Sequence, residues 1–198
     1  GLSRSYGSVR MMIWLDQGRP CMASSPGWRC FQLGLFLLPS SALLGSLLLF
    51  PALLFGSARR ECPYWRDPWN VPLLVAAGLM ILGCFQADNS GLAWVGLGNW
   101  IPFFWGFWGF QPYVSSPQAR RRTALWLVAG SVPVVVTGLG QLWWGWQGPW
   151  QLLGGLIVWF MAPGGRPEGR LSGLFDYANI ASAWLALVWP LTLAALVQ

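Results

Sequence analysis

Apolar residues fall along the chain in long blocks, separated by short patches of Arg, Pro, Gly and Asp. A stretch that is apolar all round a helix has no face for water, and roughly 17 to 25 such residues are enough to cross hydrocarbon. Residues 71–87, 92–114, 123–144 and 180–197 meet that length and are expected as four spans. Residues 31–57 form either one long tilted helix or two short ones broken near Pro39-Ser40-Ser41.

Charge separates these readings. With a single crossing, the arginines divide six to six between the two sides. With a hairpin, Arg4, Arg10, Arg19, Arg29, Arg59, Arg60, Arg66 and Arg120 to Arg122 share one side, and Arg166 and Arg170 stand opposite. Ten against two is the bias that the positive-inside rule demands. The hairpin arms are short for a bilayer, so protein neighbours or local thinning must cover the rest. A signal peptide with 31–55 as its apolar region and Gly56-Ser57-Ala58 as its cleavage site is the competing reading, weakened by its overlong core.

The expected fold class is therefore all-α, a polytopic transmembrane helical bundle of about six membrane segments with a short N-terminal hairpin. Residues 1–30 form a cytoplasmic N-terminal segment and 31–198 the transmembrane domain, which places the chain in the inner (plasma) membrane as a multi-pass protein. Both ends lie in the cytoplasm, 88–91 and 145–179 outside, and 111–122 inside. Residues 1–10 read as an upstream extension, and the chain as the first part of a longer protein.

Composition agrees: 55% of the 198 residues are hydrophobic and only 9% charged, too few to cover a soluble surface. All twelve basic residues are Arg, and His is absent, which excludes His-based zinc sites, Ser-His-Asp triads and Cys-His dyads. The four cysteines form no C-x-x-C pair, so no metal and no cofactor is expected. The arginines sit in clusters between apolar runs rather than on one basic face, which argues against nucleic acid. The Gly-Leu-Gly triplets at 96–98 and 138–140 lack the strand and acidic residue of a nucleotide-binding turn and read as packing glycines, as do Gly78, Gly106, Gly109 and Gly130.

The chemistry is expected in 145–179. Residues 149–163 are uncharged and too short to span, and so read as an interfacial or re-entrant piece. Arg166 and Arg170 follow, with Glu168 between them and glycines at 164, 165, 169 and 173. Guanidinium forks suit phosphate oxygens, and glycines let backbone amides approach an anion, so a pyrophosphate could bind here. Headgroup anchoring of a span by the same arginines is the plainer alternative. Trp143, Trp144, Trp146, Trp150 and Trp159 crowd this face as an interfacial belt or, less commonly, a surface for sugar rings.

The run Arg170-Leu-Ser-Gly173-Leu-Phe175-Asp-Tyr-Ala-Asn179-Ile-Ala181, with Leu185, Leu187, Pro190 and Leu191 after it, resembles the signature of the O-antigen ligase superfamily. That signature has an Arg, a Gly-x-Phe, an Asn and a small-residue helix ending in Pro-Leu. The Trp-rich style is similar to cyanobacterial members. Where Asn-Pro commonly precedes the final Asn, this chain has Tyr177-Ala178. The resemblance implies a glycan ligase or polymerase that moves a glycan from an undecaprenyl-diphosphate carrier to an acceptor at the periplasmic face. It implies diphosphate contact at Arg170, with Arg166, Gly173 and Asn179 as further substrate-binding residues, and Asn179 ordering the turn. It also implies partners that are lipid-linked glycan and membrane lipid. The family's catalytic His and a further Arg lie downstream, so no catalytic residue is assigned here and the fragment is expected to be inactive alone.

The alternatives are a solute or anion transporter of the bicarbonate type and a purely structural membrane module. Transport predicts ionisable residues within spans, yet the five main apolar stretches contain no Asp, Glu or Arg.

Overall fold

The computed structural model describes residues 25–60, 62–87, 90–163 and 168–197. Arg4, Arg10, Arg19, Cys21, most of the N-terminal segment, Asp88 and Arg166 lie outside the described residues. The fold is mostly helical, with six α-helices and one small β-hairpin among the described residues. The helices are α1 (Pro26–Leu37), α2 (Ala42–Ala58), α3 (Val71–Gln86), α4 (Ser90–Gly109), α5 (Pro117–Trp144) and α6 (Ala178–Val197). Three stretches are long and apolar enough to cross a membrane, namely Pro68–Gln86, Pro117–Trp144 and Ala178–Ala195, which points to a multi-pass membrane protein.

Local chemistry sets the helix ends. Ser25, Ser41 and Ser116 each accept a backbone N–H of the first turn, at 3.1–3.3 Å. Pro26 and Pro117 occupy first-turn positions where a missing N–H does no harm. Gly145 ends α5 in the left-handed conformation, φ +62°. The stretch 31–57 does break where Pro39-Ser40-Ser41 stands, giving two antiparallel helices packed along their length. The first arm starts at Pro26, close to Trp28, where a hairpin arm has to begin to gain length.

One expected span is corrected. The stretch 92–114 does not continue as a helix: α4 ends at Gly109, and Gln111–Val114 tighten into a 3₁₀ turn. Pro112, the second residue of that turn, has no N–H to continue the hydrogen bonding of α4. Asn99, four tryptophans and several glycines also dilute the hydropathy of α4, which is not among the three candidate spans.

The turn folds Tyr113 back into an aromatic core. Tyr113 is fully buried and donates its hydroxyl to the Ala52 carbonyl at 2.8 Å. Its ring lies 4.9 Å from Phe31 and 6.0 Å from Trp28, ring to ring, so the starts of α1 and α5 and the end of α2 share one cluster. Trp105 of α4 donates to Ser57 Oγ at 2.8 Å at the same end.

The same interior corrects the packing glycines. Gly56 and Gly109 bring α2 and α4 into backbone contact, and Gly130 of α5 lies against the Phe36 carbonyl of α1. Gly78, Gly96, Gly98 and Gly138 instead face open space, and Gly106 meets only the Phe110 ring. The three candidate spans are sparsely covered by protein, with 11%, 33% and 17% of their most apolar windows buried. Large side chains such as Phe85, Phe103 and Leu187 point outward, as lipid-facing positions require.

Candidate functional site

Alternation of helix direction divides the molecule into two ends. The start of α1, the end of α2, the start of α3, the end of α4 and the start of α5 lie at one end, with Arg29, Arg59, Arg60, Arg66 and Arg120 to Arg122. At the other end lie the turn between α1 and α2, the close of α5, the segment 145–177 and the start of α6, with Arg170. Seven described arginines thus stand opposite one.

The uncharged piece 149–163 folds as a hairpin whose connection is a 3₁₀ turn, Leu153–Gly155. Strands β1 (Trp150–Leu152) and β2 (Ile157–Trp159) pair antiparallel, Trp150 opposite Trp159 and Leu152 opposite Ile157. This hairpin sits on the tip of the α1–α2 pair: Ser41 Oγ donates to the Leu156 carbonyl at 2.8 Å, and the Trp159 indole donates to the Ser40 carbonyl at 3.2 Å. Ser41 therefore caps α2 and holds the hairpin with one hydroxyl. An α1 of 12 residues reaches only about 18 Å. The hairpin packs over the tip of this short pair.

Beyond β2, a single amide organises the turn. Gln141, in the last turns of α5, accepts the Gly173 N–H at Oε1, 2.7 Å away. Its Nε2 donates to Ser172 Oγ at 3.3 Å and lies 3.5 Å from the Ala162 carbonyl. Ser172, fully buried, also accepts the Ala162 N–H at 3.2 Å, and Phe160 donates to the Leu174 carbonyl at 3.0 Å. Met161 is packed out of solvent beneath. Segments 160–162 and 172–174 are thereby clamped together against α5.

This clamp leaves Arg170 exposed two residues before the buried Ser172, with Glu168 and Asp176 also exposed. Among the described residues the one ion pair is Arg60 with Asp67, so Arg170 carries no structural salt bridge there. Gly173 is buried in the left-handed region, φ +58°, and its N–H is committed to Gln141, so it shapes the turn rather than offering its amide to an anion. Asn179 is exposed on the first turn of α6. Arg166, Gly164 and Gly165 lie outside the described residues. The rings of Trp144, Trp146 and Trp150 follow one another at 5.9 and 5.3 Å along the same end, while Trp159 is tied to Ser40. Among the described residues no group of three His, Cys, Asp or Glu converges on a possible metal position.

Replacing Gln141 with Leu is expected to loosen this turn by about 2 kcal/mol, because the buried Gly173 N–H and Ser172 hydroxyl lose their partner. Amide exchange in 160–174 should rise roughly thirtyfold, with 28–37 unchanged. Equal exchange in both segments would show that the amide does not hold the turn.

The chain matches no family model, no curated protein and no solved structure.

Proposed function

We propose that this chain is the membrane-embedded part of a glycan ligase or polymerase, acting on an undecaprenyl-diphosphate-linked glycan at the outer face of the plasma membrane. In this reading α3 to α6 cross the bilayer, α1 and α2 enter it from the cytosolic side as a short hairpin, and 145–177 lies outside. The observation that carries it is the exposed Arg170, held beside a clamped turn at the end opposite the arginine clusters. The positive-inside rule sets that end outside.

The chemistry follows from charge. As the glycosyl bond breaks, the leaving diphosphate gains negative charge, and a guanidinium already in place stabilises that state more than the ground state. Clamping by Gln141 and Ser172 fixes the backbone near Arg170 in advance, so less ordering is needed when the diphosphate arrives. The Trp144-Trp146-Trp150 series offers ring faces at the same end of the molecule for sugars or lipid headgroups. A general base for the acceptor must come from residues other than His, or from outside this chain.

The test is Arg170→Ala in the complete protein, assayed for glycan transfer and for membrane insertion together. Lost transfer with normal insertion supports the proposal; unchanged transfer favours a structural module. A transport role gains no support from the helices, since α3, α4 and α6 carry no Asp, Glu or Arg.

A further inference from the structure

A second site lies at the arginine-rich end, away from the glycan turn. The start of α3 and the end of α4 diverge beneath the turn 63–66 and leave an open groove of about 480 Å³. Its lining is almost wholly apolar and includes Tyr64, Trp65, Leu74, Ala77, Ile101 and Trp108. The groove is built rather than incidental. Tyr64 reaches the Phe104 carbonyl at 3.4 Å, and its ring meets Trp108 edge to face at 5.7 Å. The Arg60 guanidinium lies 5.3 Å from the Trp108 ring centre and pairs with Asp67 at 2.6 Å. Asp67 in turn accepts the Trp69 N–H at 3.1 Å.

The rim indicates what fills it. Arg66 is exposed next to Trp65 and holds no ion pair among the described residues, so the open end of the groove is cationic. An apolar lining below a cationic rim matches an acyl chain that carries an anionic headgroup. Exposed Trp65 and Trp69, at 71% and 78%, are the side chains expected at a headgroup boundary.

We propose that this groove binds one anionic glycerophospholipid of the adjacent leaflet. An acyl chain lies between α3 and α4, and the phosphate lies toward Arg66. The site rests on membrane placement and is independent of glycan transfer.

The test reconstitutes the chain in nanodiscs of equal phosphatidylglycerol and phosphatidylcholine, then counts retained lipids by native mass spectrometry. The wild type should keep phosphatidylglycerol at least fivefold over phosphatidylcholine. Ala77→Trp, which fills the groove from α3, should remove that retained lipid. Arg66→Gln, an exposed change with no packing consequence, should cut the preference severalfold, while Arg120→Gln at the same end should leave it intact. Retention of both lipids in their input ratio would overturn the proposal. So would undiminished phosphatidylglycerol in Ala77→Trp, equal losses in Arg66→Gln and Arg120→Gln, or a second copy of the chain in place of lipid.

Discussion

Arg170→Ala is expected to lower glycan transfer at least hundredfold in the complete protein while leaving insertion and folding unchanged. The magnitude follows from the loss of one preorganised charge on a leaving group, a change that ordinarily costs about two to three orders of magnitude in rate. Stability should move by no more than about 0.5 kcal/mol, since the side chain is exposed and holds no described ion pair. Because diphosphate charge grows toward the transition state, kcat should fall further than KM rises. Arg170→Lys keeps a charge without the planar fork and should recover about a tenth of the wild-type rate. Equal loss in Lys and Ala variants would place the weight on bidentate geometry; no loss in either would remove Arg170 from the reaction.

The largest structural effect is expected at Gly56. A Cβ there would strike the Gly109 carbonyl and lie 3.1 Å from the Tyr113 ring, and the space facing Gly109 is filled by Leu53 and by Ser57 Oγ at 2.8 Å. Moving α2 away from α4 and its following turn would strain the Trp105 to Ser57 and Tyr113 to Ala52 hydrogen bonds, each worth about 1 kcal/mol. Gly56→Leu adds overpacking of about 1 to 3 kcal/mol, so the melting temperature in detergent should fall by roughly 10 °C. Gly78→Leu, at a glycine facing open space, should leave it within about 2 °C. Matching melts for the two variants would mean that α2 and α4 do not meet at these glycines.

Much of the helical layout was readable from residues alone because each signal had a single physical cause. The break at Pro39-Ser40-Ser41 followed from arginine sorting, and the structure places a capped helix start at Ser41. The end of α4 was not readable in the same way: Phe110, Tyr113 and Val114 keep the hydropathy high past Gly109, and apolarity does not distinguish a continuing helix from a turn that buries its side chains. Small residues marked where helices can approach, but not which glycines have a partner; Gly56 and Gly130 do, and Gly96, Gly98 and Gly138 do not.

At the candidate site, residue type pointed to Arg170, while the support beneath it came from elsewhere in the chain. Gln141 lies 32 residues before Gly173, and no local pattern joins them. Its signal was its isolation: it is the one side-chain amide in 123–144, a stretch without charge. A lone amide in an apolar helix needs a partner, which in retrospect marks α5 as the anchor for a loop. The β-hairpin was hidden because 150–159 mixes Leu, Gly and aromatic residues without a clean alternation.

Every functional inference about Arg170 depends on which compartment its turn faces, and accessibility decides that directly. Ser172 is buried, so the reporter belongs at the exposed Leu171, with a second at the exposed Gln118 near the start of α5. In a background with all four cysteines replaced, a membrane-impermeant maleimide applied to intact cells should label Leu171→Cys at once and Gln118→Cys only after permeabilisation. Labelling in the reverse order would put Arg170 in the cytosol and contradict the assignment of the diphosphate to this turn.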